Sequence, residues 1–181
     1  MTKVTIFLPC YNVEKFIDIC LMSLVAQTYK DIVIFAYDDF SDDSTLEHLD
    51  FWQHCDPRII VKRPFEERVG YIHLLNQMLL DTDSDYICRQ DADDWSLPQR
   101  IERQLKFMNR QENCVLCGTQ GKNLWEDKSK LFVFSWEKNY VNNIASYEIP
   151  VNKLIRSQHR IIHGSMCIRT QYVLLEDIML N

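Results

Sequence analysis

The residues in this sequence best suited to chemistry are carboxylates gathered in short runs. Asp38-Asp39 leads into Phe40-Ser41-Asp42-Asp43-Ser44, and Arg89-Gln90 leads into Asp91-Ala92-Asp93-Asp94-Trp95. Bare carboxylates at close range repel and raise one another's pKa, so such a cluster is costly unless a cation fills it or hydrogen bonds satisfy it. The Asp91-x-Asp93 spacing, at a turn out of a strand, lets two oxygens reach one hard ion. Mg2+ or Mn2+ held by one or two carboxylates keeps positions open for phosphate oxygens. An isolated D-x-D is common and usually just solvated. This run directly follows an apolar stretch, and the helix opening at Leu97-Pro98 fixes its backbone, which favours the metal reading for Asp91 and Asp93.

These runs have to be brought together by the elements before them. Val4–Leu8 reads as a buried strand, and Asn12 is placed to cap a helix carrying Phe16, Ile17, Cys20, Leu21 and Leu24 on one face, ending near Gln27. Ile32–Tyr37 has no charge, as expected of a strand covered on both faces of a parallel sheet. Ser44 and Glu47 have capping-box spacing for a helix to about Trp52. Ile59–Val61 is a short third strand before Lys62-Arg63-Pro64. Gly70 to Leu80 repeats the helical period, Tyr86–Cys88 is a fourth strand, and Pro98 opens a helix with Ile101, Leu105 and Met108 inward. Strand and helix alternate four times, which predicts right-handed crossovers and a three-layer α/β/α domain around a mostly parallel sheet. Ligands of such sheets lie outside the carboxyl ends of the strands. Pro9-Cys10-Tyr11-Asn12, Asp38-Asp39 and Asp91–Asp94 therefore belong to one edge.

The pattern holds over residues 1–118 and becomes irregular over 119–181. There Leu131–Trp136 and Ile161–Ile168 read as strands flanking a long loop at 137–160. We expect one domain, with residues 1–118 as its ligand-binding half and 119–181 as the half that meets a second substrate. The chain has 181 residues, with 20 Lys and Arg against 26 Asp and Glu, a formal charge of -6. No basic stretch suits nucleic acid. An acidic protein is expected to meet phosphate through a divalent cation rather than an Arg/Lys cradle. No apolar run is long enough to cross a membrane. The seven cysteines are odd in number and several lie in apolar runs, as reduced buried thiols do, so we expect a cytoplasmic protein.

Four motifs, in order and spacing, resemble the family 2 glycosyltransferases of the GT-A fold: Val4-Thr-Ile-Phe-Leu-Pro-Cys-Tyr-Asn-Val-Glu-Lys15, Gln27-Thr-Tyr-Lys-Asp31, Asp38-Asp39-x-Ser41-x-Asp43-Ser44-Thr45, and Arg89-x-Asp91-Ala-Asp93-Asp94-x-x-x-Pro98-x-Arg100. The resemblance covers about residues 3–118 and returns at His163-Gly-Ser-Met-x-Ile-Arg169. It implies a nucleotide-sugar donor, most often a UDP-sugar, with Pro9, Tyr11 and Asp39 bordering the base and Asp38 and Asp91 near base and ribose. Asp93 would bind a Mn2+ or Mg2+ ion bridging the diphosphate. It also implies inverting displacement at the anomeric carbon, toward a glycan or lipid-linked acceptor of surface polysaccharide or lipopolysaccharide synthesis. Peripheral membrane association stays open. The base of such enzymes sits in an acidic pair after a further segment and is expected beyond Asn181. Glu176 and Asp177 imitate that pair too soon after His163 and are the weaker candidates.

Other signals weigh less. Cys114-x-x-Cys117 lacks a second cysteine pair and reads as structural. His159 and His163 would share a metal only on a helix. Trp125, Phe132, Phe134 and Trp136 read as core or interface before sugar stacking. Two other readings remain: a non-catalytic nucleotide-sugar-binding fragment, and a receiver-like phosphoacceptor domain, against which the D-A-D-D run and the missing strand-end lysine both speak.

Overall fold

The computed structural model describes residues 2–119, 121–126, 129–134 and 162–173. Four parallel strands, β1 (Val4–Cys10), β2 (Ile32–Asp38), β3 (Ile59–Lys62) and β4 (Tyr86–Arg89), build most of a six-stranded sheet. Its order is β3-β2-β1-β4-β9-β6, where β6 is Leu116–Cys117 and β9 is Cys167–Arg169. β9 runs antiparallel to both neighbours, so the sheet is mixed and mostly parallel. A second sheet joins β5 (Asp94–Ser96), β8 (Ser129–Phe134) and β7 (Lys122–Glu126).

Alternation along the strands divides the core. Val4, Ile6, Leu8, Ile34 and Ala36 pack with Leu21 and Leu24 of α1 (Ile17–Val25), Leu49 of α2 (Thr45–Cys55) and Ile101 and Leu105 of α4 (Arg100–Arg110). Phe7, Phe35, Tyr37 and Ile87 face the other way, onto Leu74 and Met78 of α3 (Tyr71–Asp81). Helices on both faces bury both sides of the inner strands, which explains why β2 carries no charge before its terminal Asp38.

Two caps differ from the sequence reading. Asn12 does not cap α1. Its backbone takes φ 50°, and its side chain exchanges hydrogen bonds with Asp42, so α1 begins only after Phe16. The Ser44–Glu47 box does not form either: Asp43 accepts from the Thr45 N–H, and the Ser44 N–H donates to Glu14. In both cases a partner on the neighbouring loop outcompetes the local bond. α2 also runs on to Cys55, and the region read as a strand at 161–168 is a 3-10 turn at His163–Ser165 before β9. The 137–160 loop, Trp136, His159, Glu176, Asp177 and the side chains of Trp125, Phe132 and Phe134 lie outside the described residues.

Candidate functional site

The carboxyl ends of β1, β2 and β4 meet at one edge, as the topology requires. Pro9 sits near the end of β1, opposite Tyr37. The Gln90 N–H donates to the Phe7 carbonyl, so odd positions of β1 face β4, and pairing with β4 ends at Phe7. A proline at position 9 therefore removes no ladder bond. The loops after β1 and β2 are laced together: the Asn12 N–H donates to Ser41 Oγ (3.1 Å), the Val13 N–H to Thr45 Oγ1 (2.8 Å) and the Glu14 N–H to Asp43 (3.2 Å).

Asp38 and Asp39 lie side by side yet serve different partners. The Asp38 carboxylate is fully buried (0% exposed) and meets Arg63 Nη2 at 2.6 Å. It also accepts from the Ser41 N–H and hydroxyl. Asp39 accepts from the backbone N–H groups of Val69 and Gly70, both at 2.9 Å. Arg68 lies with its guanidinium 3.9 Å from the centre of the Tyr11 ring. Tyr11, Asp39 and the 68–70 segment thus form one continuous wall. The sequence reading named neither Arg63 nor Arg68 as a site residue. The signal was the Lys62-Arg63-Pro64 run at the end of β3, a strand of the same parallel set.

At β4, Arg89 Nη2 donates to Asp91 Oδ1 (3.0 Å) and Nη1 lies 3.5 Å from His163 Nε2. The Arg89 guanidinium also faces the Tyr71 ring, 5.5 Å away. Arg89, which the sequence placed at the head of this acidic run without a role, is therefore a nearly buried cation set in the acidic edge. Asp93 is exposed, whereas Asp94 is buried. Burial first, then the charges of Asp93 and Asp91, push the Asp94 carboxyl up to about 7, with Arg100 opposing. Asp38 and Asp39 are thus satisfied by protein groups, and Asp94 feels the like charges of Asp93 and Asp91.

Beneath them Arg100 donates to the Arg89 carbonyl (2.7 Å), Gln90 Oε1 (2.6 Å) and Ser96 Oγ (2.9 Å). Among the described residues no three His, Cys, Asp or Glu side chains converge to hold an ion by themselves. His163 faces Arg89 and the edge of the Tyr71 ring. Cys114 and Cys117 are unpaired, like the other five cysteines.

Residues 5–174 match the family described as Glycosyl transferase family 2. The amylovoran biosynthesis glycosyltransferase AmsE of Erwinia amylovora is 29% identical over 154 residues, spanning 83% of this chain and 57% of the relative. S. aureus TarS 1-349 in complex with UDP superposes with a TM-score of 0.59 at 21% identity, over 69% of this chain and 38% of that one. The mannosyltransferase PcManGT from Pyrobaculum calidifontis, in complex with GDP-Man and Mn2+, gives 0.62 at 21% identity, over 66% and 36%. The fold is that of GT-A glycosyltransferases. The chain spans between 21% and 57% of the length of the first curated relatives it matches.

Proposed function

The chain belongs to glycosyl transferase family 2, and from that premise we propose that it binds a nucleoside-diphosphate sugar, a UDP-sugar foremost, along this edge. Residues 1–118 would hold the donor and residues 119–181 would face a glycan or lipid-linked acceptor. The sugar would pass with inversion: the acceptor hydroxyl attacks the anomeric carbon, the bond to the diphosphate breaks, and a carboxylate base takes the proton. Surface polysaccharide or lipopolysaccharide synthesis is the setting we favour, supported by the name of AmsE. The cytoplasm is the compartment we favour, supported by seven unpaired cysteines, since cytosolic thiols are kept reduced. Among the described residues no helix is long and apolar enough to cross a membrane. The receiver-like alternative falls with the family assignment.

One observation carries the reading: the wall formed by Tyr11 and Asp39 lies on the same edge as the crowded Asp91, Asp93 and Asp94. We place the base against Pro9, Tyr11 and Asp39, with Asp38 serving that end through the loop it braces. Asp91 would stand between the ribose and the diphosphate. A divalent ion fits the donor set: burial first, and then the charges of Asp93 and Asp91, push the Asp94 carboxyl up, so added positive charge there would relieve the repulsive part. Asp93 and Asp91 would hold Mn2+ or Mg2+, which when bound neutralises the departing diphosphate. Arg89 adds fixed positive charge on the protein side. The carboxylate that takes the acceptor's proton stays unassigned, with Glu176 and Asp177 outside the described residues.

Titration calorimetry with UDP tests this. Binding should require Mn2+ or Mg2+, and Asp93→Ala should remove both the metal dependence and most of the affinity. Equal affinity in EDTA would refute the metal assignment. Failure of both UDP and GDP to bind with metal present would refute the donor reading.

A further inference from the structure

We propose that Gly164 is a positioning residue for Asp91: the turn at His163–Ser165, held from beneath by α4, sets bare backbone against the Asp91 carboxyl group and fixes its direction. The proposal rests on the reading of Asp91 as part of the nucleotide and metal site. A Cβ at position 164 would lie 2.4 Å from Asp91 Oδ2, 2.8 Å from its Cγ and 3.3 Å from its Cβ. All three distances are to one short side chain. Among the described residues Gly70 has a left-handed φ, at 88°, and nothing lies within 4 Å of where its Cβ would stand. Gly70 is thus needed for its backbone angle. Gly164 has no such angle and is needed only for space.

The turn has little room to back away from Asp91. Gln104 Nε2 donates to the Ser165 carbonyl (2.8 Å) and Arg100 Nη1 reaches the Gly164 carbonyl (3.4 Å). Ser165 Oγ accepts from the Thr119 N–H (3.0 Å). Arg100 also holds the Arg89 carbonyl, so one helix fixes both the end of β4 that carries Asp91 and the turn that abuts it. From the other side, Arg89 restrains Asp91 Oδ1. The carboxyl group is therefore bounded on Oδ1 by a guanidinium and on Oδ2 by backbone, and it still keeps 37% of its side-chain surface open. Partners that orient a metal-binding carboxylate act in this way, and losing one costs about 10–100-fold in metal affinity.

The experiment uses the chain as it stands, with UDP and Mn2+ as probes, and measures the Mn2+ concentration for half-maximal UDP binding. Gly164→Ala should raise it about 10–100-fold. UDP affinity at saturating Mn2+ should fall by much less than the Mn2+ requirement rises, because the nucleobase contacts of Tyr11 and Asp39 are untouched. Ser165→Ala loosens the turn without adding bulk and should shift the Mn2+ requirement in the same direction. It decides the matter if Gly164→Ala does not fold. A merely structural role would lower the melting temperature and leave the Mn2+ requirement of the folded protein unchanged. If Asp91→Ala abolishes Mn2+-supported binding but the folded turn variants keep the wild-type requirement, the positioning role is refuted and the site reading stands. If wild type shows no Mn2+-supported UDP binding, or Asp91→Ala binds as wild type does, the site reading fails and the proposal falls with it.

Discussion

Replacing Arg63 by alanine should destabilise the domain well beyond an ordinary surface substitution, because it strands the buried charge of Asp38. Arg63 presents both Nε (2.8 Å) and Nη2 (2.6 Å) to the same Asp38 oxygen. The carboxylate is 0% exposed and the Arg63 side chain 30% exposed. Removing one partner of a fully buried pair costs about 3–5 kcal/mol. Two features reduce that figure here: Arg63 is partly solvated, and Asp38 keeps the two bonds from Ser41. The lost contact between the Arg63 guanidinium and the Phe40 ring, 4.8 Å apart, adds about 0.5–1 kcal/mol. The expected cost is about 2–3 kcal/mol, or about 5–10 °C in Tm for a domain of this size. Urea denaturation should be run on Arg63→Ala, Asp38→Asn and the double variant. With Asp38 neutralised, losing Arg63 should cost less than about 1 kcal/mol, a coupling well above the additivity error of about 0.5 kcal/mol. If Arg63→Ala costs the same in both backgrounds, the buried charge is not what Arg63 compensates.

Phe40 sits at φ 61°, a left-handed angle that strains a bulky residue by about 1–2 kcal/mol. Phe40→Gly relieves that strain but loses the Arg63 contact, worth about 0.5–1 kcal/mol, and adds about 0.5–1 kcal/mol of glycine backbone entropy, so stability should stay within about 1 kcal/mol of wild type; differential scanning calorimetry showing a larger loss would refute the strain argument. Asp39→Ala should weaken UDP binding about ten- to a hundred-fold through the loss of one charge-assisted bond while leaving the Mn2+ response in place, which calorimetry checks. It should also loosen the 69–70 backbone, seen as faster amide exchange at Val69 and Gly70. Hydrogen bonds from Arg58 hold the Asp56 carboxyl below its ordinary 3.8, against the opposing effect of partial burial. The unfolded chain therefore binds this proton more readily. Its contribution is complete above the ordinary carboxylate value and is lost as pH falls below about 4. Arg58→Gln should lower stability at neutral pH and flatten the acid side of the stability curve, and an unchanged curve would refute the assignment.

Local pattern was enough to read β1 to β4, the four helices α1 to α4 among the described residues and the shared carboxyl edge, because each rests on periodicity that burial on one or both faces enforces within a short stretch. The ends of those elements were not legible in the same way. Asn12 and Ser44 have capping chemistry, but loops 30 residues apart in sequence supplied better partners once folded, as the bond from Asn12 to Asp42 shows. The same limit governs the site. Asp38 and Asp39 looked like free acids until Arg63 and the Val69–Gly70 backbone arrived from beyond β3. Arg89 counted as part of a motif, while its place between Asp91, His163 and Tyr71 depended on the turn before β9. Gly164 was legible only as a member of the His163-Gly-Ser motif; its φ is not left-handed, and only the close approach of Asp91 shows why a side chain must be missing there. Residue types and spacing thus determined which groups could act and at which edge. Which charges are compensated and which stay exposed was decided by contacts between segments far apart in the chain, because burial and pairing belong to the tertiary structure and not to any window of sequence.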